Sequence, residues 1–435
     1  MFLKIKNFLN NTLINKSIKV LFLRVLGVFL FFSLTLFLTN YFDSELVGKY
    51  DFSRSLIMSV GILSVFGMHQ SIVYYSGYLV SKNSLGELKR IYKKMLIITS
   101  VISALILCIS MLISSDTMNY IFEKNVSSIV TKSILALFFY GITTLNIDVF
   151  RAINKIYISE IFRNVFRYLG FIIAIIILYF TNNNHLLVDV FLLNFVFLAL
   201  LSTCYLLFYF RKIDTGVFTV DTKISYKAIL KRSGPMAMSA TAYILMQSVD
   251  VILLSKFTNF EMVAFYSVAI KLTTMISIVL ASVNAVQAPQ IAEFFSSGNF
   301  VKLSAIIKKS TRLIFFLTFP AIIILSLLSS SILKLFGPNY IIAQSALYIL
   351  VIGQSINALC GSVGVYMNMT GKQNIFQKIL LSALILNIVL NWILIPIYGI
   401  NGAAFATSFS MIFWNLITVV YIYKKDKIKT FLTLK

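Results

Sequence analysis

Long apolar segments separated by short polar connections run through the whole chain. A helix needs about 20 residues to cross the roughly 30 Å hydrocarbon core of a bilayer, and these segments have about that length. Barrel strands would instead show a two-residue alternation, which this sequence lacks. We predict an all-α polytopic membrane protein. Its twelve predicted spans are 20–40, 52–76, 95–114, 128–148, 158–180, 186–210, 235–255, 263–286, 313–333, 343–366, 379–397 and 402–423.

Basic residues are distributed unevenly between these spans. The connections on one side, counted with both termini, carry 28 Lys and Arg residues. The other side carries four, Lys49, Lys124, Lys256 and Lys334. Because cytoplasmic loops carry the excess of Lys and Arg, both termini are predicted to be cytoplasmic. The basic start of the chain runs into a full-length span, so we expect no signal peptide.

The sequence at the end of the first span recurs near the middle of the chain. Residues 38–50 (LTNYFDSELVGKY) align without gaps with residues 254–266 (LSKFTNFEMVAFY), at an offset of 216. Coincidence between two short connections is the alternative. Parallel repeats are a transporter architecture, with the binding site between two lobes. We predict six-helix lobes at 1–215 and 216–435 around a central cavity.

The fifth span has an apolar part that is too short to cross a bilayer. Uninterrupted apolar sequence begins only at Leu169, so the helix must draw Glu160, Arg163 and Arg167 inward. These three residues stand at i, i+3 and i+7, which predicts one helical face. A charge at membrane depth costs about 2.5 kcal/mol or more and usually faces a polar interior. The sequence favours a cationic cavity over the alternative, in which Arg167 snorkels to the headgroups.

Other cations also fall within predicted spans. Arg54 in the second span aligns next to the repeat partner of Lys271 in the eighth, so both lobes are expected to place a cation at a similar depth. Arg24 lies about a turn inside the first span, where snorkelling is a serious alternative. We group these three with Arg163 and Arg167 as candidate substrate-binding residues.

The acids within the spans are fewer. Asp250 is a candidate for ion coupling, or for an ion pair with Lys271 on the following helix. Glu160 is the second candidate, as a partner for Arg163. Asp51 and Asp148 are expected at the membrane interface.

Composition agrees with a membrane protein and limits its chemistry. Apolar residues make up 59%, charged residues 12%, and the mean hydropathy is +0.90. The net charge of +23 is explained by topology and contact with anionic membrane lipids, so no nucleic-acid partner is expected. The three cysteines are isolated and no nucleotide-binding or metalloprotease motif is present, so we expect no metal, no cofactor and no enzyme activity.

Several stretches resemble one family of membrane proteins. They are LTNYFDSELVGKYDFSRSL after the first span, MQSVDVILLSKFTNFEMVAFYSVAIKL around the seventh, LKLFGPNY at 333–340, MNMTGKQN at 367–374 and IPIYGINGAAFATSFS at 395–410. With the twelve-span plan, the chain resembles the bacterial Wzx-type O-antigen and polysaccharide flippases. These belong to the multidrug/oligosaccharidyl-lipid/polysaccharide exporter superfamily.

The resemblance implies a function. The cargo would be an undecaprenyl-pyrophosphate-linked oligosaccharide repeat unit, flipped across the bacterial inner membrane by alternating access coupled to an ion gradient. A polysaccharide polymerase and a chain-length regulator would be partners. A cationic cavity suits a pyrophosphate, because arginine binds phosphate oxygens through paired donors.

Two other functions are considered. A multidrug/cation antiporter of the same superfamily should have an acidic cavity, whereas the spans of this chain hold mostly cations. A membrane glycosyltransferase or polymerase would usually need a large outer loop or paired catalytic carboxylates, and neither is present.

Overall fold

The computed structural model describes residues 12–80, 87–122, 124–212 and 224–433. Almost all of these residues are helical, and none of them forms a β-strand. Ten helices in this part are long and apolar enough to cross a membrane. The predicted all-α polytopic fold class is confirmed. The predicted lobe boundary at 215/216 lies outside the described residues, as do Lys4, Lys6, Lys82, Lys223 and Lys435 from the loop-charge comparison.

The chain divides into two compact units, of which the first holds residues up to Phe42 together with Leu56–Thr241. Its helices begin with α1 and α2, and α7 contains a π-helical turn. They are α1 (Thr12–Tyr41), α2 (Ser44–Val65), α3 (Met68–Val80), α4 (Glu87–Met111), α5 (Ser115–Phe122), α6 (Ser127–Ala152), α7 (Ile156–Phe180), α8 (Leu187–Lys212) and most of α9 (Tyr226–Met246).

The second unit holds Asp43–Ser55 together with Ala242–Lys435. After the end of α9 its helices are α10 (Val249–Phe257), α11 (Phe260–Ser296), α12 (Phe300–Leu327), α13 (Ser329–Lys334), α14 (Gln344–Cys360), α15 (Val363–Met369), α16 (Gln373–Tyr398) and α17 (Ile400–Asp426). Its core includes the buried side chains of Ile307, Tyr366, Met367, Leu380 and Ile422.

Two segments pack apart from their neighbours in sequence. The first half of α2, through Ser55, packs in the second unit although it comes early in the chain. The first part of α9, through Thr241, packs in the first unit. Gly48 explains the placement of α2, because a Cβ there would lie 1.8 Å from the carbonyl oxygen of Phe260 at the start of α11. Only a glycine allows so close an approach of two backbones.

The sequence repeat has a counterpart in the helix boundaries. Helix α1 ends at Tyr41 and α10 ends at Phe257, which is an offset of 216, and α2 and α11 begin at Ser44 and Phe260 with the same offset. The side chain of Asn259 caps α11 by accepting a hydrogen bond from the Met262 N–H. Acidic residues follow in the first turn of both helices, where the helix dipole favours negative charge.

Two predicted spans are each interrupted in the structure. The segment 52–76 breaks between α2 and α3, where Phe66 and Gly67 both have positive φ angles of 46° and 68°. A Cβ on Gly67 would lie 2.5 Å from the Ser233 carbonyl oxygen, so a glycine is needed. The segment 235–255 breaks between α9 and α10, at residues 247–248. Hydropathy alone does not detect such breaks, because the flanking residues remain apolar.

Candidate functional site

Glu160 holds Arg24 within the first unit. Its carboxylate accepts two hydrogen bonds from the Arg24 guanidinium, at 3.2 Å from Nε and 2.9 Å from a terminal nitrogen. Asn164 donates a third, at 2.7 Å. Glu160 is 4% exposed, whereas about half of the Arg24 side chain is exposed. In this pair the acid is therefore buried, whereas the basic side chain stays half exposed.

A close contact between α1 and α7 supports this pair. A Cβ on Gly27 would lie 2.5 Å from the Cβ of Asn164, so the two helices meet where the glycine leaves room. Residues Ile161–Phe166 of α7 form a π-helix, which adds a residue to the turn. Arg24 lies one turn before Gly27 on α1 and therefore reaches Glu160 on α7.

Arg163 has a different partner from the predicted one. Its guanidinium donates to Asp148 on α6 at 2.6 Å, and Arg151 lies 3.8 Å from the same carboxylate oxygen. The expectation that Glu160 would hold Arg163 is wrong, since Glu160 bonds to Arg24. Asp148 is buried within the protein, and its expected depth at the membrane interface stays a prediction. The buried carboxylate of Asp148 gains its counter-charge from Arg163.

Arg167 lies against a third helix. Its guanidinium lies 6.0 Å from the centre of the Phe195 ring on α8, and Asn194 donates to its backbone carbonyl at 3.1 Å. The side chain is partly buried, and within the described residues it forms no ion pair. The predicted single face is not observed: Glu160, Arg163 and Arg167 contact α1, α6 and α8 respectively. The π-helix between the first and last of them changes the angular spacing on which that prediction depended.

A buried ion pair lies in the second unit. The Lys271 ammonium on α11 is 2.8 Å and 3.0 Å from the two carboxylate oxygens of Asp51 on α2, and both residues are almost fully buried. The Tyr50 ring lies 5.8 Å from the same ammonium, and Arg54 is near enough to act on it electrostatically. The alternative in which Lys271 pairs with Asp250 is wrong, because Lys271 pairs with Asp51, whereas the interfacial depth of Asp51 stays a prediction.

Asp250 borders a cavity in the second unit that is lined by both polar and apolar side chains. One carboxylate oxygen accepts from the Tyr266 hydroxyl at 2.8 Å and the Thr407 hydroxyl at 3.1 Å. The other accepts from the Val251 N–H at 2.8 Å. These donors are neutral, and Asp250 has no basic partner within the described chain. The cavity has a volume of about 60 Å³, and its lining includes Gln354 and Asn357.

Polar side chains continue from this cavity. Gln354 accepts from Ser277 and from Asn357, both at 3.2 Å, and Asn415 donates to Asn357 at 3.1 Å. Elsewhere in the second unit, Asn387 and Asn391 on α16 are fully buried, and each has a polar atom without a hydrogen-bond partner among the described residues. Such amides both link helices and line paths for polar ligands.

Sequence reasoning missed the hydroxyl groups that hold Asp250. Tyr266 is one of the identical positions of the repeat, and its counterpart is Tyr50. Each of the two tyrosines contacts a buried charge, Asp250 and Lys271 respectively. The identity of these two tyrosines in the repeat was the sequence signal that could have indicated their contacts with buried charges. The sequence gave no such signal for Thr407, because Thr407 lies in a motif whose small residues are already explained by helix packing.

Comparison with the profiles of known protein families identifies the family of this chain. The profile of the family described as "Polysaccharide biosynthesis protein" matches residues 4–295, more than half of the sequence. The chain belongs to this polysaccharide biosynthesis protein family. The profile of the MatE family also matches, over residues 235–393. The resemblance inferred from the sequence motifs is therefore confirmed at the level of the family and its superfamily.

Curated relatives are similar over parts of the chain. An uncharacterized membrane protein of Methanocaldococcus jannaschii is 33% identical over 38% of this chain and 33% of its own length. A putative O-antigen transporter of Shigella flexneri is 28% identical over 43% and 45%. A probable low-salt glycan biosynthesis flippase, Agl15 of Haloferax volcanii, is 28% identical over 37% and 34%. The matches thus span between a third and a half of these relatives.

Solved structures match over nearly the whole chain. The lipid II flippase MurJ, in an inward closed conformation, has a TM-score of 0.73 at 17% identity, covering 93% of this chain and 87% of that one. An inward-facing multidrug resistance MATE transporter has a TM-score of 0.75 at 14% identity, covering 93% and 94%. At these identities the likeness concerns the fold.

Proposed function

We propose that this family member flips a lipid-linked oligosaccharide, an undecaprenyl-pyrophosphate repeat unit, from the cytoplasmic to the outer leaflet of a bacterial inner membrane. The main support is the set of arginines on apolar helices of the first unit: Arg24, Arg163 and Arg167. Arginine binds phosphate oxygens through its planar fork of donors. The O-antigen transporter and glycan flippase among the relatives agree with this cargo.

The arginines take separate roles in the proposal. Of these three arginines, Arg167 has no acidic partner among the described residues, and it makes the first contact with the pyrophosphate. Arg24 and Arg163 are held by Glu160 and Asp148 until the cargo's phosphates compete for them. Lys271 is buried with Asp51, and we assign its charge to holding α2 against α11 rather than to cargo. Arg54 stays a candidate at the edge of that pair.

Ion coupling is assigned to Asp250. A carboxylate held only by neutral donors beside a polar cavity takes up a proton or a monovalent cation at smaller cost than one already paired with a base. The volume of about 60 Å³ holds a few water molecules or a small hydrated ion. Loading and unloading of this site would bias the two conformations of alternating access.

The second candidate is a multidrug/cation antiporter, which the MatE match and the MATE-like fold favour. A cationic drug needs an accessible acid in a pocket of at least about 300 Å³. Glu160, Asp148 and Asp51 are occupied by basic side chains, and the cavity at Asp250 is much smaller than such a pocket. The charge pattern therefore favours an anionic cargo.

Deletion of the gene separates these functions. A flippase deletion should abolish surface glycan and accumulate the lipid-linked repeat unit, without a change in sensitivity to cationic drugs. Thin-layer analysis of extracted glycolipids and drug growth curves measure the two outcomes. Normal surface glycan with increased drug sensitivity would overturn the proposal and support the antiporter.

A further inference from the structure

The chain after α17 folds back onto the second unit. Residues 427–433, here called the tail, follow the last helix. The Leu432 N–H donates to the Leu359 carbonyl at 2.9 Å, and the Thr311 hydroxyl donates to the Thr430 carbonyl at 2.7 Å. The Arg312 guanidinium donates to the Thr433 carbonyl at 3.0 Å. Three bonds, two to α12 and one to α14, give the tail one defined path.

The turn into the tail is fixed as well. Asp426 accepts hydrogen bonds from the Lys372 ammonium at 2.6 Å and from the Tyr366 hydroxyl at 2.7 Å. Lys427 then adopts a left-handed conformation with φ of 58°, which a residue other than glycine adopts only where the surroundings hold it. The direction in which the tail leaves α17 is therefore set by the structure.

This path orients the tail's side chains in alternation. Ile428 and Thr430 are buried, while Lys427, Lys429 and Phe431 are exposed. Lys424 and Lys425, at the end of α17, are exposed too. The basic strip, defined as Lys424, Lys425, Lys427 and Lys429, forms no ion pair within the described part of the chain. Four unpaired ammonium groups are thus presented on a rigid support.

The strip begins where a lipid-facing surface ends. On α17 the exposed large apolar side chains are Phe405, Phe409, Leu416, Ile417, Val420 and Tyr423, and Lys424 directly follows Tyr423. Exposed apolar side chains of a membrane-spanning helix face hydrocarbon, and tyrosine favours the interface. The lysines that follow therefore lie at headgroup depth, and the ring of Phe431, two residues after Lys429 in the sequence, is exposed as well.

We propose that the basic strip and Phe431 form a binding surface for anionic phospholipid headgroups, with the aromatic ring entering the interface. Clustered lysines just beyond a membrane-spanning helix are attracted to anionic lipid, and aromatic side chains add apolar contact there. The surface is continuous with the lipid-facing stripe of α17, so the bilayer is already its neighbour. Lipid binding would hold the tail, and through it α12 and the Leu359 carbonyl, in the docked position.

The test follows amide hydrogen exchange of residues 428–433 in the full-length protein, reconstituted in nanodiscs. One preparation contains only phosphatidylcholine, and the other contains phosphatidylcholine with about a third phosphatidylglycerol. Because each lysine near an anionic surface adds several-fold to binding, exchange should slow by about tenfold or more in the anionic discs. High salt should remove most of the difference, since surface charges are screened.

Two variants of equal charge change complete the design. The variant Lys424→Gln/Lys425→Gln/Lys427→Gln/Lys429→Gln should lose the lipid dependence. The control Lys93→Gln/Lys227→Gln/Lys231→Gln/Lys378→Gln removes four exposed lysines elsewhere and should keep it. Equal exchange of the wild-type tail in both lipids would overturn the proposal and leave the tail as a structural strap or a surface for a protein partner. Equal loss in the control would overturn it too, because only net charge would then matter.

Discussion

At the scale of single residues, three acids within the apolar helices each hold a base. The pairs are Glu160–Arg24, Asp148–Arg163 and Asp51–Lys271. A buried charge without a partner costs several kcal/mol, so pairing is the condition on which these charges are tolerated. The pairs differ in exposure: Lys271 is enclosed, whereas the arginines remain partly exposed. The enclosed pair suits a structural role, and the exposed arginines suit binding.

The enclosed pair gives a prediction about stability. Lys271→Met should destabilise the protein by about 3–5 kcal/mol, because Asp51 would be left as an uncompensated buried charge. Adding Asp51→Leu should recover most of that loss, since two apolar side chains replace two charges. Denaturation in mild detergent, followed by tryptophan fluorescence, measures both. A double variant that is less stable than the single one would show that the charges contribute beyond neutralising each other.

Arg167 gives a prediction about function. Arg167→Ala should abolish surface glycan while the protein remains at its normal level in the membrane, because the pyrophosphate would lose its first contact. Arg167→Lys should restore only part, since an ammonium lacks the planar fork of donors. Glycan display is measured alongside membrane abundance. Full display in Arg167→Leu cells would instead indicate a snorkelling arginine with no role in transport.

Sequence reasoning at this scale identified the charges but not their partners. The cost of burying a charge implies that Arg163 and Lys271 need counter-charges, and that requirement can be read from one helix. The choice of Asp148 and Asp51 depends on which helices are neighbours, which one sequence does not specify. Both acids lie near the ends of apolar runs, where an interfacial position is the ordinary interpretation.

At the scale of elements, a break between two helices occurs twice in the chain, at an offset of 216 residues. Asn259 caps α11, and Asp43 stands at the corresponding position before α2. The break was predictable, because capping residues and first-turn acids recur at an offset of 216. The π-helix in α7 was not, since no residue type in Ile161–Phe166 marks it. Because the π-helix lies between Glu160 and Arg167, these residues contact different helices instead of sharing the one predicted face.

Gly48 tests the packing of α2. Gly48→Ala should destabilise the second unit, because the added Cβ would overlap the Phe260 carbonyl oxygen at 1.8 Å. Gly234→Ala is the matched control, since a Cβ there would meet only the Phe66 ring at 3.8 Å, an ordinary contact. Both substitutions replace a helical glycine by a better helix former. Thermal unfolding in detergent compares them, and equal midpoints would contradict the close approach of α2 and α11.

At the scale of the whole molecule, loop charge and fold together predict the topology. Reporter fusions just after Arg232 should be cytoplasmic, and fusions near Lys334 should be periplasmic, because basic residues are concentrated in the loops of one side. Alkaline phosphatase and green fluorescent protein fusions report opposite sides. Phosphatase activity after Arg232, or fluorescence near Lys334, would contradict the orientation on which the direction of transport depends.

The direct test of the central claim is flipping by the purified protein. Proteoliposomes would carry undecaprenyl-pyrophosphate-linked oligosaccharide, and an added glycosidase would digest only the glycan in the outer leaflet. Wild-type protein should make nearly all of the glycan digestible when an ion gradient is imposed. In protein-free vesicles the cargo is equally distributed between the leaflets, so about half of the glycan stays protected. The variants Arg167→Ala and Asp250→Asn should give the same result as these protein-free vesicles. Protection of half the glycan by wild-type protein under every gradient tested would contradict the flippase account.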